Sequence, residues 1–256
     1  MVGIKRLYYD IETSPNIMFS WRAGFKINLD HDNIIRERAI ICMCYKWEHE
    51  DEVHSLQWDK GDDRQMLEDF SMVAGVADEI VGHNAAKFDL KWFNTRNLYH
   101  DLPPVPDYKV VDTLHIARRH FYLNSNRLDY LGKLLFGEGK IKTEFNLWKR
   151  ITLDNDPQAM DEMIHYCKGD VLLLEKVYKR LAPYSKPKTH AGVASGEGRW
   201  SCPGCGSEDV IKSKTRISAM GIKQHQMFCK SCFRYYSISD LVFRQYAVYR
   251  AEKEIA

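Results

Sequence analysis

Residues 7–13 read LYYDIET, and this stretch decides which fold the rest of the chain can adopt. Side chains alternate between the two faces of a β-strand, so Asp10 and Glu12 share one face. Tyr9 and Ile11 then point into the opposite layer. Two carboxylates about 4 Å apart repel each other by roughly 4 kcal/mol at an effective dielectric constant of about 20, and a divalent cation would offset that repulsion. The alternative is an edge strand with a solvated acidic face, which further acids at matching places downstream would rule out.

The composition is that of an ordinary globular protein. Of the 256 residues, 45% are hydrophobic and 28% are charged, which argues against disordered and fibrous classes. No apolar run approaches the roughly 20 residues needed to span a membrane, and the first residues lack a signal-peptide pattern. We therefore expect a cytoplasmic protein with no membrane partner.

Charge is distributed unevenly along the sequence. Residues 1–184 carry 25 Lys and Arg against 29 Asp and Glu, a net charge of −4. Residues 185–256 carry 12 against 6, a net charge of +6. A basic appendage on an acidic body favours a polyanionic partner, with plain surface charge as the alternative.

Hydrophobic spacing predicts an α/β body over residues 1–184, a flexible linker over 185–198, a small module over 199–238 and a C-terminal helix over 239–256. Three strands come first and two more alternate with helices, which predicts a mixed sheet flanked by helices. The irregular stretch 14–38 is expected to border a substrate cleft. The predicted strands are 7–13, 39–47, 53–58, 79–84 and 108–112, and the predicted helices are 62–76, 87–98, 114–121, 128–136, one from Pro157 and one over 170–181.

Further acids occur at matching places. Asp89 directly follows a predicted strand, at the start of the next helix. Tyr166 precedes Asp170 by four residues, which is about 40° past one helical turn, so the two share a face if the backbone stays helical. Taken singly, Asp89 and Asp170 would be acids that favour helix N-termini, and Tyr166 a core residue.

In their order and separation, these residues resemble the three motifs of the DEDD exonuclease superfamily, in its tyrosine-bearing branch. The resemblance covers roughly residues 4–182 and is strongest to stand-alone bacterial and phage relatives of the proofreading domain of family B DNA polymerases. It implies a ribonuclease H-like domain, with a five-stranded mixed sheet whose second strand is antiparallel. The motifs are Asp10-x-Glu12, Asn84-x-x-x-Phe88-Asp89 and Tyr166-x-x-x-Asp170.

The resemblance implies a two-metal centre. Phosphodiester hydrolysis uses two divalent ions about 4 Å apart to activate water and to stabilise the leaving oxygen. By similarity, Asp10 bridges both ions, Glu12 and Asp170 complete the tighter site, and Asp89 binds largely through water. Hard oxygen ligands favour Mg²⁺ or Mn²⁺.

The resemblance also assigns the surroundings of the acids. It implies that Tyr166 orients the attacking water, and that the Thr13 backbone and the Asn84 and Phe88 side chains position the 3′-terminal nucleotide. His165 would suit the histidine branch of the superfamily. In an ideal helix, however, His165 is rotated about 140° from Asp170, whereas Tyr166 is rotated only about 40° from it. We therefore predict an exposed His165.

The stretch 137–142, which precedes Tyr166 and Asp170 in the chain, contains two glycines and two lysines. Lys140 and Lys142 follow Gly137 and Gly139. We expect both to be solvated loop lysines, with a phosphate contact as the alternative.

The C-terminal module carries two Cys-x-x-Cys pairs separated by 23 residues. This spacing predicts a zinc ribbon with one structural Zn²⁺, because four thiolates fill a tetrahedral coordination sphere. The remaining cysteines, Cys42, Cys44 and Cys167, lie in apolar or helical settings and are predicted to be reduced core thiols. The predicted zinc ligands are Cys202, Cys205, Cys229 and Cys232.

Basic and aromatic residues interleave within the module, which suits single-stranded or junction nucleic acid. The alternatives are that the rings form the small core of the module, which we expect for Phe228 and Phe233, or that the module docks on a protein. The predicted nucleic-acid contacts are Lys212, Lys214, Arg216, Lys223 and Arg234.

The sequence thus predicts a metal-dependent 3′–5′ exonuclease acting on single-stranded or 3′-ended DNA, with replication or repair proteins as further partners. Two alternatives stay open at this point. One is a structure-specific endonuclease of the same fold, and the other is a non-catalytic nucleic-acid-binding protein that serves replication. The sequence does not decide between DNA and RNA.

Overall fold

A mixed five-stranded sheet organises the body of the protein. The computed structural model describes residues 3–24 and 27–255. In addition to the main sheet, the excursion after the first strand forms a two-stranded ribbon and a short 3₁₀ turn at His31–Asn33. In chain order, the strands of the body are β1 (Arg6–Thr13), β2 (Ile17–Met18), β3 (Ile34–Arg36), β4 (Ile40–Trp47), β5 (His54–Gln57), β6 (Glu79–Gly82) and β7 (Lys109–Asp112).

The strand order of the main sheet is β5-β4-β1-β6-β7. β1 pairs antiparallel with β4 and parallel with β6, and β7 extends the parallel part. β4 is the second strand of this sheet along the chain, so the predicted fold class, including its antiparallel second strand, is confirmed. The helices of the body are α1 (Arg64–Gly75), α2 (Asp89–Tyr99), α3 (Thr113–His120), α4 (Leu128–Phe136), α5 (Phe145–Leu153) and α6 (Pro157–Leu181).

The two faces of β1 contact different helical layers. The Tyr9 ring lies 5.6 Å from the Phe70 ring of α1, which in turn meets Phe93 of α2 edge-on. On the other face, Tyr8 packs against Tyr178 of α6, with ring centroids 5.7 Å apart. Because side chains alternate along a strand, Asp10 and Glu12 share the α6 side with Tyr8, as the alternation predicts.

α6 is one continuous helix of 25 residues where the sequence predicts two. Asp156 caps its start by accepting hydrogen bonds from the Gln158 and Ala159 amides, and Pro157 occupies the first turn. The helix runs through Gly169 without a break. A buried ion pair of 2.8 Å between Lys46 of β4 and Glu175 fastens it to the sheet. In the described part of the chain, no helix combines the length and the apolar character that crossing a membrane requires.

The C-terminal module is a second, smaller layer structure. Its antiparallel sheet has the order β10-β9-β8, and a long helix covers one face of it. Trp200, Met227 and Ile238 form its core with Val242 and Tyr246 of that helix, so the helix packs on its own module. The elements are β8 (Val210–Ile217), β9 (Lys223–Cys229), β10 (Tyr235–Ser239) and α8 (Asp240–Ile255).

The connection between body and module differs from the predicted flexible linker. After a 3₁₀ turn (Ala182–Tyr184), residues 185–198 contain the short helix α7 (Ala191–Ala194). The Ala191 amide donates to the Pro203 carbonyl at 2.9 Å, and the Lys188 ammonium donates to the Val110 carbonyl on the outer edge of the main sheet. These bonds tie the segment to both parts of the protein.

Arg234 also joins the module to the body, and this corrects the expectation of a nucleic-acid contact. Its side chain is only 5% exposed. The guanidinium donates to the backbone carbonyls of Ala182 and Ser185, directly after α6. A buried guanidinium engaged with carbonyls is not available to a phosphate.

The two Cys-x-x-Cys turns share one backbone feature but differ in the residue that carries it. In each, the residue after the second cysteine has a left-handed conformation, with φ of 78° at Gly206 and 58° at Phe233. Glycine adopts this conformation freely, whereas a side chain with a Cβ costs roughly 1–2 kcal/mol there. Phe233 is therefore a strained position.

A buried charge cluster orients α2, whose first residue is Asp89. Asp63 is fully buried and accepts two hydrogen bonds of 2.8 Å from the Arg96 guanidinium of α2. Its carboxylate also bonds His100 and the Ile40 amide of β4. The Arg96–Asp63 bonds, together with the amide bond to β4, fix the angle of α2 to the sheet.

We predict that Arg96→Ala lowers the free energy of unfolding by about 3–5 kcal/mol, because it leaves the buried Asp63 carboxylate without its main partner. Urea denaturation measures this change. Arg64→Ala is the matched control, since Arg64 pairs with Glu68 on the exposed side of α1 and its loss is expected to cost under about 0.5 kcal/mol. Equal effects of the two substitutions would contradict the structural role of the cluster.

Candidate metal centre

Three acids from two elements meet at the end of the central strand. Asp10 and Glu12 come from β1, and Asp170 comes from α6. One carboxylate oxygen from each of the three can be chosen so that all lie within 4.8 Å of one another. Asp170 is 1% exposed, whereas Asp10 and Glu12 are half-buried, so the group is recessed and still open to solvent on one side. This donor set suits a hard divalent cation.

Asp89 stands beside this group without belonging to it. It is the first residue of α2, is almost fully buried, and accepts a hydrogen bond from the Ile11 amide. Its charge is the largest electrostatic contribution, after burial, to the raised pKa of Asp10. A position near Asp10 but outside the closest group suits an acid that binds a cation through water.

Burial and mutual repulsion raise the pKa values of these acids, so they bind protons more tightly than free carboxylates do. Burial raises the pKa of Glu12 to about 8 and that of Asp89 to about 7. The pKa values of Asp10 and Asp170 are raised by the same cause, and neighbouring carboxylates add to the shift at Asp10. A cation would relieve this repulsion and displace the protons.

Lys140 enters the acidic group, which corrects the expectation of a solvated loop lysine. Its ammonium lies 2.5 Å from the Asp170 carboxylate. Burial lowers the pKa of Lys140, but the charges of Asp170 and Asp10 outweigh burial and raise it above the usual value. The loop between α4 and α5 delivers this lysine: Gly137 ends α4 in a left-handed conformation, and the Lys140 amide donates to Asp129 at 2.9 Å. Lys142 is exposed, as expected.

Tyr166 and His165 lie in opposite environments on α6. Tyr166 is half-buried, and its hydroxyl hydrogen-bonds Asp170 and Lys140. Burial and the nearby Asp170 charge raise its pKa, so the phenol stays protonated at neutral pH. His165 is exposed. The continuous helix thus places Tyr166, and not His165, beside the acids.

The loop after β6 is held by a side chain that the sequence did not single out as a site residue. Asp112, at the end of β7, accepts hydrogen bonds from the Asn84 amide at 3.0 Å and from the Ala86 amide at 3.3 Å, and it also caps α3. Asn84 adopts a left-handed conformation with φ of 68°. Phe88 ends the loop and is 37% exposed, so it is accessible to solvent. A carboxylate at a strand end, directly before Thr113 and a helix, is the sequence signal for such a cap.

Thr13 ends β1 at an irregularity in the sheet. The pairing register with β4 shifts between Glu12 and Thr13. The Thr13 carbonyl accepts a hydrogen bond of 3.2 Å from the Trp148 indole of α5. The strand end is therefore bent and anchored next to the acids.

The four cysteines of the module form a second group of ligand atoms. Their sulfur atoms lie within 4.8 Å of one another. The Cys202–Cys232 and Cys205–Cys229 sulfur pairs are each 3.6 Å apart. Disulfide sulfurs are about 2.05 Å apart, whereas sulfurs bound at about 2.3 Å to one tetrahedral ion are about 3.8 Å apart. The three other cysteines are unpaired and buried, as predicted.

The predicted basic contacts of the module have different environments. Lys212, Lys214 and Arg216 are exposed on β8. The Lys212 ammonium lies 5.0 Å from the centre of the Phe243 ring, and Lys223 is 3.2 Å from the Asp240 carboxylate. Lys214 and Arg216 are therefore the two that are freest to meet a polyanion.

Comparison with known proteins places the body in a known superfamily. The model of the RNase H superfamily matches residues 30–182, more than half of the chain. The family B DNA polymerase of the hyperthermophilic archaeon Pyrobaculum calidifontis is similar in structure, with a TM-score of 0.53 and 16% sequence identity. This similarity covers 71% of the present chain but only 25% of the polymerase, and at this identity it shows the fold alone. No curated protein matches the sequence.

We predict that the protein without added divalent cation loses stability as pH rises from about 4 to about 8. The folded chain binds the protons of Glu12 and Asp89 more tightly than the unfolded chain does, because their pKa values of about 8 and about 7 exceed the ordinary 4.5 and 3.8. Asp10→Asn removes one repelling charge. Its melting temperature should therefore exceed that of the wild type by roughly 3 °C at pH 8 and by less at pH 5.

Differential scanning calorimetry with and without Mn²⁺ measures these shifts. Mn²⁺ should stabilise the wild type and have little effect on Asp10→Asn. Asp161→Asn, an exposed acid on α6, is the control and should behave as the wild type. A Mn²⁺ response that survives Asp10→Asn would place the cation elsewhere.

Proposed function

Because the chain belongs to the RNase H superfamily, we propose that it is a metal-dependent 3′–5′ exonuclease of the DEDD tyrosine branch that hydrolyses DNA. The observation that carries the proposal is the meeting of Asp10, Glu12 and Asp170 within 4.8 Å at the end of the central strand. Tyr166 beside Asp170 supports the tyrosine branch. DNA is proposed as the substrate by analogy with the DNA polymerase whose fold the body shares.

The acids fit a pair of Mg²⁺ or Mn²⁺ ions. Partly buried carboxylates with raised pKa values, paired with the single ammonium of Lys140, form a site that a cation stabilises. Asp10, Glu12 and Asp170 would hold the ions, with Asp89 contributing through water. Bound there, the ions would activate the attacking water and stabilise the leaving oxygen.

Tyr166 and Lys140 act on the reactants. The Tyr166 phenol, kept protonated by burial and the Asp170 charge, orients the attacking water through its hydroxyl. Lys140 neutralises part of the acidic group when no cation is bound. With a cation at the acids, the Lys140 ammonium would be repelled from Asp170 and would then donate to a phosphate oxygen of the substrate.

The residues after β6 position the 3′-terminal nucleotide. The exposed Phe88 ring packs on its base or sugar, and Asn84 contacts it from the loop that Asp112 holds. Asp112 is a positioning residue, since it acts through the loop and not on the substrate. The bent end of β1 at Thr13 offers backbone groups to the same nucleotide.

The module is a zinc ribbon over residues 199–238 with one structural Zn²⁺ at its four cysteines. The 3.6 Å sulfur separations suit tetrahedral thiolate coordination and exceed those of disulfides. The core of the module is small, and a structural zinc site provides about 10–16 kcal/mol of apparent binding free energy to such folds. With four thiolates bound, no position remains for a substrate.

A 5′-labelled single-stranded DNA with Mn²⁺ tests the activity. We expect a descending ladder of products from the wild type and none from Asp10→Ala. Tyr166→Phe should lower kcat about 100-fold, because the attacking water loses its orientation. A covalently closed single-stranded circle should stay intact.

Two matched pairs of variants assign the neighbouring residues. His165→Ala, next to Tyr166, should leave the rate almost unchanged. Lys140→Ala should reduce it clearly, whereas Lys142→Ala should not. Nicking of the circle would instead indicate an endonuclease, and binding without hydrolysis of any substrate would indicate a non-catalytic protein.

Metal analysis tests the ribbon. The wild type should contain one zinc per chain, and Cys232→Ser should lose it and become sensitive to protease within the module while the body stays resistant. Ser231→Ala, the neighbouring substitution, should keep the metal. A disulfide found by mass spectrometry of the freshly purified protein would overturn the zinc assignment.

A further inference from the structure

We propose that the face of the module sheet opposite α8, which we name the open face, is a binding platform for single-stranded DNA. Phe228, Phe233 and Tyr235 would stack on unpaired bases, and Lys214 and Arg216 would bind phosphates. The choice of DNA as the ligand rests on the proposed function. The platform itself does not depend on hydrolysis.

The pairing register separates the two faces of this sheet. Directly paired residues in neighbouring strands point to the same face. His225 and Met227 are buried, and the His225 ring stacks on Phe243 of α8 at 3.9 Å, so their face is the covered one. The residues of β9 that alternate with them are Gln224, Gln226 and Phe228, and these belong to the open face. Their pairing partners on β8 and β10 belong to it as well. The open face contains Ile211, Lys214, Arg216, Gln224, Gln226, Phe228, Tyr235, Ser237 and Ser239.

An aromatic cluster lies at the cysteine end of the open face. Tyr235 pairs directly with Phe228, and their ring centroids are 4.8 Å apart. The Phe233 ring adds to the cluster at 6.4 Å from Phe228. Tyr235 is 57% exposed and Phe233 is 70% exposed, so these rings are not the core of the module as expected for Phe233. Phe228 is half-buried, and its ring neighbours both of the exposed rings.

The backbone at Phe233 argues for a function of its ring. The equivalent position of the first cysteine turn is occupied by Gly206, the residue that adopts a left-handed conformation without strain. Phe233 carries the strain and yet buries little surface in return. Strain that the fold does not require is a sign of a functional position.

The charge of the module selects a polyanion as the occupant. Residues 210–239 contain six Lys or Arg and no Asp or Glu. Lys214 and Arg216 project from the open face of β8, where they pair with Gln226 and Gln224, and so continue the face along the sheet from the aromatic cluster. A second copy of this face would repel it, whereas a phosphate backbone complements it. Exposed rings stack on bases only where these are unpaired, which favours a single strand over a duplex.

Binding is measured with the full chain carrying Asp10→Asn, so that the DNA is not hydrolysed and zinc is retained. The probe is a fluorescein-labelled oligothymidylate of about 12 nucleotides, read by fluorescence anisotropy. Phe233→Gly should weaken binding about tenfold, because one stacking ring is lost. Its melting temperature should stay equal or rise, because glycine relieves the strained backbone.

Two further variants and one competitor complete the test. Lys214→Gln with Arg216→Gln should reduce the salt dependence of binding, whereas Leu241→Ser, an exposed substitution on α8, should change nothing. A blunt duplex of equal charge should compete poorly. Equal competition by the duplex, unchanged binding by Phe233→Gly, or a lower melting temperature for that variant would each overturn the platform.

Failure of the platform and failure of the proposed function give different results. If Phe233→Gly weakens binding but the wild-type chain hydrolyses no DNA, the platform stands and the nuclease proposal falls. If the wild type degrades DNA and Phe233→Gly binds oligothymidylate as tightly as its parent, the platform falls alone.

Discussion

Electrostatic repulsion among partly buried carboxylates is the constraint on which the body of this protein depends. Asp10, Glu12 and Asp170 are held within 4.8 Å although burial disfavours their charged forms. Such a group persists only on a rigid support, because free carboxylates would move apart. The central position of β1 and the single helix α6, clamped to β4 by the Lys46–Glu175 pair, provide that support. Lys140 completes the arrangement by bringing one positive charge into it.

Strand alternation and helical spacing predicted two shared faces from sequence because both are local, and the resemblance to the DEDD motifs implied that the two faces meet. The face shared by Asp10 and Glu12 follows from a period of two, and the face shared by Tyr166 and Asp170 follows from a spacing of four. Both expectations needed only that each element be regular. The predicted break between two helices was wrong because a single glycine costs a helix interior only about 1 kcal/mol, and α6 has buried residues on both sides of Gly169.

Lys140 and Arg234 could not be assigned from sequence because their partners are distant along the chain. Lys140 and Lys142 occupy similar local contexts, and only the path of the loop turns one to the acids and the other to solvent. Arg234 belongs to a basic, aromatic stretch that predicts nucleic-acid binding, but it meets carbonyls about 50 residues earlier. The strain at Phe233 was equally hidden, since a backbone angle has no signature in composition.

The attachment of Arg234 at the end of α6 has a mechanical consequence. The same helix carries Tyr166 and Asp170 in its middle and receives the guanidinium just beyond its last turn. The ordered segment 185–198 supplies a second attachment on the outer edge of the main sheet. These two attachments restrain the module relative to the body, so they also restrain the separation between the acids and the aromatic cluster. A single-stranded DNA bound at both places has to span that separation. Its contour length, as well as its chemistry, would therefore decide whether it fits.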